Sequence, residues 1–311
     1  MVPRVAVWVV GLFFCLPRLE AGVRRADVPD TSFLALAASS LYQSVGKLTY
    51  SVGSSSYLAS GVLISPDWVL TAGHVVGGNN YQGGGISNLT FSLGSAGGPL
   101  SFAADEWYAH PGWTSTQGDL LAGYDLGLIH LGSTVTTFEA ASLYLSDTLS
   151  IQPGTLVGYG ATGTGLSGYL SGTSGTKRAG QNMIDAQGDG ETISSSILFV
   201  DFDQPGTSAK NVVGSDVPLR LEYLIAPGDS GGGLFVTENQ QTFLVGITSF
   251  TWGILDGVAN SSYGDVAGFT STTSQLGWIH AMTGVPIPEP STSALLWIGL
   301  VAWGRVRRKV D

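Results

Sequence analysis

The chain of 311 residues has one cysteine, Cys15, and it lies in an amino-terminal apolar stretch. The remainder therefore has no disulfide, no thiolate metal site and no cysteine nucleophile. Charge is scarce, at 12% of residues, and basic charge is scarcer, with 13 Lys and Arg against 23 Asp and Glu. Setting aside residues 1–21 and 291–311 leaves seven basic and 21 acidic residues, a body of net charge −14 that repels phosphate backbones and makes a nucleic-acid partner improbable. The remaining histidines, His110, His130 and His280, are scattered without metal-ligand spacing, so they read as structural or surface residues and no metal or cofactor is expected. No apolar run is long enough for a comfortable permanent membrane span.

What is abundant is glycine, 45 residues without a Gly-X-Y period, beside a hydrophobic content of 43%. That combination excludes disorder and collagen and suits many tight turns between short strands. Candidate strands are Lys47 to Val52, Tyr57 to Ile64, Trp68 to Thr71, Asn88 to Leu93, Leu126 to Leu131, Thr155 to Tyr159, Ile197 to Phe202, Gly233 to Thr237 and Thr242 to Phe250. One late helix is expected over Ser274 to Met282, where Leu276, Ile279 and His280 fall about a turn apart. Gly158 to Gly190, rich in Gly, Ser and Thr, reads as a long surface loop. The pattern is all-β, a barrel or a sandwich, with no internal repeat.

Both ends read as addresses. Arg4, the uncharged run Val5 to Leu16 and a short polar stretch to Ala21 form the three parts of a secretory signal peptide, over residues 1–21. A membrane anchor is the rival reading, but 12 residues rise only about 18 Å as a helix. At the other end, Pro288-Glu289-Pro290 leads into the apolar run Ala294 to Gly304 and then Arg305, Arg307, Arg308 and Lys309, a stop-transfer pattern. An ordinary short tail anchor is the plainer reading.

Three strings carry chemistry. Gly228-Asp229-Ser230-Gly231-Gly232 can present a serine hydroxyl on a sharp turn, with the N–H groups of Gly228 and Ser230 as candidate oxyanion donors. Val69-Leu70-Thr71-Ala72-Gly73-His74 ends an apolar strand in small residues that leave an imidazole accessible as a general base. Tyr124-Asp125-Leu126-Gly127-Leu128-Ile129-His130-Leu131 places an acid just before an alternating apolar strand, where it can hold the histidine's other nitrogen.

In the order His74, Asp125, Ser230, these strings resemble the signature of the chymotrypsin or trypsin superfamily of serine proteases. The resemblance spans roughly residues 45–284. It includes Ser60-Gly61-Val62-Leu63-Ile64 and His110-Pro111, with Gly246 to Phe250 as the strand lining the specificity pocket and Gly268-Phe269-Thr270 as the closing strand. It implies two six-stranded antiparallel β-barrels with a C-terminal helix, and a secreted or cell-surface endopeptidase acting on protein or peptide substrates through an acyl-enzyme. The catalytic residues would be His74, Asp125 and Ser230, and Leu224, Ser249, Phe250 and Thr251 would bind substrate. In trypsin-type enzymes an acid six positions before the serine binds Lys or Arg. Here that position is Leu224, which favours an apolar or small side chain before the cut, unless Glu222, Asp256 or Asp265 supplies a charge.

Residues 22–44 would be an amino-terminal segment or propeptide, with Arg24-Arg25 before Ala26-Asp27-Val28 a candidate processing site, although the terminus it would leave departs from the Ile-Val-Gly-Gly that usually pairs with the acid before the serine, here Asp229. The tail over residues 285–311 resembles a PEP-CTERM sorting signal. That implies signal peptidase and an exosortase-like enzyme as processing partners, transient membrane association through the tail, and export to the surface or matrix of a Gram-negative bacterium. A non-catalytic scaffold or adhesin on the same fold, and an esterase using the same triad, are the rival functions.

Overall fold

The computed structural model describes residues 22–286 other than 79, 95–97, 147, 148 and 150. The segments expected as signal peptide and, from residue 287, as sorting tail lie outside the described residues. Strand β1 (Gly22–Arg24) and helix α1 (Asp30–Ala37) precede a closed barrel. Its strands are β2 (Val45–Val52), β3 (Ser55–Ser65), β4 (Trp68–Thr71), β5 (Ile86–Leu93), β6 (Leu100–Ala109) and β7 (Gly127–Leu131), in the order β2-β3-β4-β7-β6-β5. Two short helices interrupt it, α2 (Gly73–Val76) after β4 and α3 (Pro111–Ser115) after β6.

The second body follows as β8 (Ser142–Leu143), β9 (Gln152–Gly158), β10 (Thr162–Thr164), β11 (Gly168–Tyr169), β12 (Arg178–Ile184), β13 (Ala186–Gln187), β14 (Ile197–Asp201), β15 (Tyr223–Leu224), β16 (Gly233–Glu238), β17 (Gln241–Gly253) and β18 (Asp265–Ser271). Its main sheet runs β12-β9-β16-β17-β18-β14-β13, with β8 beside β17. This half-barrel is not zipped shut by a ladder. Its open seam is bridged by Asn182 on β12, whose Nδ2 donates to the Asp201 carbonyl on β14 at 2.6 Å and to the Tyr223 carbonyl at 3.1 Å. Helix α4 (Leu276–Thr283) returns to the first barrel, where Ile279 is wholly buried in its core. The mostly β architecture with one terminal helix is the one expected, and all nine candidate strands lie within or overlap observed ones.

The segment Gly158 to Gly190 corrects the surface-loop expectation. It contains β10, β11, β12 and β13, and β12 pairs with β9 along its whole length, from Arg178↔Gly158 to Ile184↔Gln152. Polar residues hid this strand: Arg178 and Asn182 are each only 1% exposed because each is partnered. Strand β6 was also missed, since its residues are mostly exposed and include Asp105 and Glu106, so no apolar alternation marks it.

Residues 22–44 start in the second body and end on the first barrel, where the Ser44 carbonyl accepts the Leu63 N–H at 2.9 Å. Strand β1 runs parallel to β10 and antiparallel to β15, and Val23 and Phe33 are wholly buried in the second core. Arg178 anchors α1, with Nε and Nη2 donating to the two carboxylate oxygens of Asp30 at 2.6 and 2.7 Å. Breaking a buried pair strands its partner's charge, whereas replacing both members removes the Arg178 charge too and leaves only Arg24, whose Nε lies 3.6 Å from Asp30 Oδ1, without that neighbour. Asp30→Asn is therefore expected to lower stability by roughly 3–5 kcal/mol, and the double variant Asp30→Leu/Arg178→Met to lose clearly less, measured by urea unfolding.

Candidate active site

His74 and Asp125 meet because of barrel register. Strands β4 and β7 are antiparallel neighbours with Thr71 opposite Gly127, so the chain leaving β4 and the chain entering β7 emerge at the same end. His74 lies three residues beyond Thr71 and Asp125 two before Gly127. Asp125 is wholly buried and bonds twice to the histidine: Oδ1 accepts the His74 backbone N–H and Oδ2 pairs with Nδ1, both at 2.8 Å. The imidazole side chain keeps 31% of its surface exposed, and Trp113 packs beside it with ring centroids 6.4 Å apart. Burial pulls the His74 pKa down, but the charge and hydrogen bond of Asp125 outweigh it and leave the value above the ordinary 6.5.

A third group completes the carboxylate's shell. Ser249 Oγ donates to Asp125 Oδ2 at 2.5 Å across the seam between the two bodies. Pairing of β17 with β18 shifts register between Thr248 and Phe250, so Ser249 is the extra residue of a bulge, and a bulge re-aims the side chain it carries. Sequence alone puts Ser249 on a substrate-binding strand and carries no signal for this bond. The bulge depends on pairing partners far along the chain.

The Ser230 turn enters from the second body. Strand β16 begins at Gly233 opposite Ile247 of β17, and Gly231 N–H donates to the Thr248 carbonyl at 3.0 Å, so the turn and Ser249 share one sheet end. Within the turn the N–H groups of Asp229 and Gly232 are bonded to Ala226 and Asp229 carbonyls. Those of Gly228 and Ser230 have no partner among the described residues. Asp229 shapes the turn from below: its Oδ1 accepts Gly160 N–H at 2.7 Å and its Oδ2 accepts Ala226 N–H at 2.9 Å. Burial pushes its pKa up to about 7.

Ser60, in sequence only one residue of a strand, pins the turn to the first barrel. Its N–H donates to the Ser230 carbonyl at 2.8 Å and its hydroxyl to the Gly228 carbonyl at 2.9 Å, while that hydroxyl accepts Tyr159 N–H at 2.9 Å. Its own carbonyl accepts Thr71 Oγ1 at 2.9 Å, on the strand that leads to His74. The approach is so close that a Cβ on Gly231, which has φ of 82°, would stand 2.0 Å from Thr71 Oγ1 and 2.2 Å from the Ser60 carbonyl oxygen. Ser230 is half-buried, and no hydrogen bond joins its hydroxyl to His74 in this structure.

Of the other pocket candidates, Leu224 is wholly buried in the second core. The Phe250 ring lies over Gly268, with Cζ 2.3 Å from where a Cβ there would be. Thr251 is half-buried on β17 opposite Ala267. The rival acids are engaged elsewhere: Asp256 caps the Val258 N–H in an exposed loop and Asp265 accepts Asn260 and Ser262 N–H groups. His110 stacks on Tyr124, His130 Nδ1 pairs with Asp105 at 2.6 Å, and His280 donates to the Val285 carbonyl, so none of the three joins the site.

A family profile described as Trypsin matches residues 40–279. The chain belongs to the trypsin family. Human chymotrypsin-like elastase family member 1 (Homo sapiens) is 28% identical to it over 275 residues, covering 82% of this chain and 94% of that protein. The solved structure of HL collagenase superposes with a TM-score of 0.56 at 19% identity, covering 80% of this chain and 96% of the other, a likeness of fold. As a trypsin-family member the chain is a serine peptidase, a hydrolase of protein or peptide substrates.

If the Asp125 charge is what raises the His74 pKa, removing it leaves only burial. Asp125→Asn is expected to move the ring titration of His74, followed by NMR, from above 6.5 to below it.

Proposed function

We propose that the protein is a secreted or cell-surface serine endopeptidase in which His74 is the general base, Asp125 its orienting carboxylate and Ser230 the nucleophile. The observation that carries this reading is the pair of bonds between Asp125 and His74, which fixes the imidazole with Nδ1 toward the acid and leaves Nε2 for the serine hydroxyl. Ser230 attacks the scissile carbonyl as His74 takes its proton. The acyl-enzyme forms as His74 returns that proton to the leaving amine, and water then repeats the cycle. The free N–H groups of Gly228 and Ser230 are the donors for the oxyanion, each worth on the order of 10²- to 10³-fold in rate.

Substrate choice is for a small or apolar side chain before the cut. Leu224 offers no counter-charge to Lys or Arg, and the Phe250 ring occupies the place that a side chain at Gly268 would take. The name of the human elastase relative agrees with this choice. Glu222 offers no alternative charge, because burial pushes its pKa up to about 9. Residues 22–44 stay with the mature enzyme in this reading, since cutting after Arg25 would sever β1 from the chain that follows it. Export through a signal peptide and sorting through the tail, with signal peptidase and an exosortase-like enzyme as processing partners and only transient membrane contact, rest on the sequence pattern. No helix of the described residues is long and apolar enough to cross a membrane.

A fluorophosphonate probe is expected to label Ser230 in the folded protein and to leave Ser230→Ala unlabelled, with kcat of the variant down by on the order of 10⁶-fold. An unlabelled wild type would favour a non-catalytic scaffold, and labelling without cleavage of any peptide in a library would favour an esterase. Because only neutral His74 accepts a proton, kcat/KM is expected to rise with pH through a midpoint above 6.5. A profile flat from about pH 5 to about pH 8 would remove His74 from the mechanism.

A further inference from the structure

Lys177 stands just before β12, where its Nζ donates to the Tyr42 carbonyl. The ion pairs among the described residues belong to Arg24, Arg25, Arg178, His74 and His130, and none reaches Lys177. Acids are not in short supply, with 23 Asp and Glu against 13 Lys and Arg, yet none answers this ammonium. Burial alone pulls its pKa down from 10.5 to about 8, so at neutral pH it is still charged, withdrawn from water and facing no counter-charge.

The lysine lines a cavity of about 730 Å³ where α1, the first barrel and the second body meet. Sites for small molecules run to roughly 300–1,000 Å³. Leu34 and Ala37 of α1, Phe138 and Tyr159 supply apolar lining, and Ala37 and Tyr159 are buried parts of the first core. Tyr159 cannot answer the lysine either, because burial pushes its phenol up to about 12 and keeps it neutral. Leu34, Ala37, Ala38 and Ser39 precede residues 40–279, so one wall of the cavity lies outside the span that the trypsin profile matches.

We propose that this cavity binds a carboxylate with a medium-length apolar chain, its head group paired with Lys177 and its chain laid against Leu34, Ala37 and Phe138. Charge selects the head group, since a carboxylate supplies the missing counter-ion together with acceptor oxygens for the ammonium's remaining hydrogens. Geometry selects a simple chain over an extended peptide, which docks by pairing its backbone with a strand edge. No lining residue lies within a strand. The walls are α1, the turn after it, the loop through Phe138, and the chain just past β5, just past β9 and just before β12. Apolar contact would supply the affinity and the ion pair the orientation. His74, Asp125 and Ser230 take no part in the lining, so the inference does not depend on the catalytic assignment.

The test is calorimetry of the purified protein with octanoate below its micelle concentration. One octanoate per chain is expected. Acetate, which has the charge without the chain, and octan-1-ol, which has the chain without the charge, should each bind more weakly by on the order of tenfold or more. Lys177→Met removes the charge and keeps an unbranched side chain, and should weaken octanoate by a similar factor while leaving octan-1-ol unchanged. Ala38→Phe, at an exposed lining position, should obstruct the cavity with the charge in place and weaken both. Thermal melting checks that each variant folds, and two variants guard against one that does not. The proposal is overturned if the wild type takes up no octanoate, if octan-1-ol binds as tightly, which would leave only an apolar surface, or if both variants bind octanoate like the wild type, which would place it elsewhere. Tighter binding of N-acetyl-leucyl-leucine than of octanoate would overturn it in favour of a peptide carboxylate.

Discussion

Everything at the site depends on one serine that does no chemistry. Ser60 ties three pieces of chain together within hydrogen-bond distance: the turn, through the Gly228 and Ser230 carbonyls, the second body, through the Tyr159 amide, and the strand before His74, through Thr71. The proposed triad, split between two bodies, would work only with their relative position fixed to a fraction of an ångström, because misplacement of the reacting atoms lowers the rate. Hydrogen bonds that are buried or partly buried supply that stiffness, because their geometry is directional. Ser249 is the second tie across the seam, reaching from the second body to the acid of the first.

The same division of labour explains where disulfides are dispensed with. Lacking cysteine in the described residues, the chain cross-links through buried polar groups whose partners are distant in sequence: Asp30 with Arg178, Asn182 with Asp201 and Tyr223, and Ser60 with the Ser230 turn. Each is satisfied by geometry that forms only when the fold is complete, which makes them guarantors of one arrangement as much as sources of stability.

Much of this was legible beforehand where the signal was local. Short apolar strands announced themselves in Tyr57 to Ile64, Trp68 to Thr71 and Gly233 to Thr237, because alternation and turn residues are properties of neighbours. The three strings around His74, Asp125 and Ser230 were legible for the same reason. Strand β12 was not, because Arg178 and Asn182 look like surface residues until their partners are known. Ser60 was invisible as a hub, since a serine beside a glycine in a strand has no pattern of its own.

The sequence by itself determined that this is an all-β, cysteine-poor, acidic protein and which imidazole, carboxylate and hydroxyl could serve acyl transfer. Those follow from residue type and short-range period. Only the tertiary structure decided that Asp125 sits behind His74, that Ser249 supports it, and that the Ser230 turn docks on Ser60. Barrel register, a bulge and the packing of two bodies set those distances. They are properties of strands paired across tens to hundreds of residues, and no local window contains them.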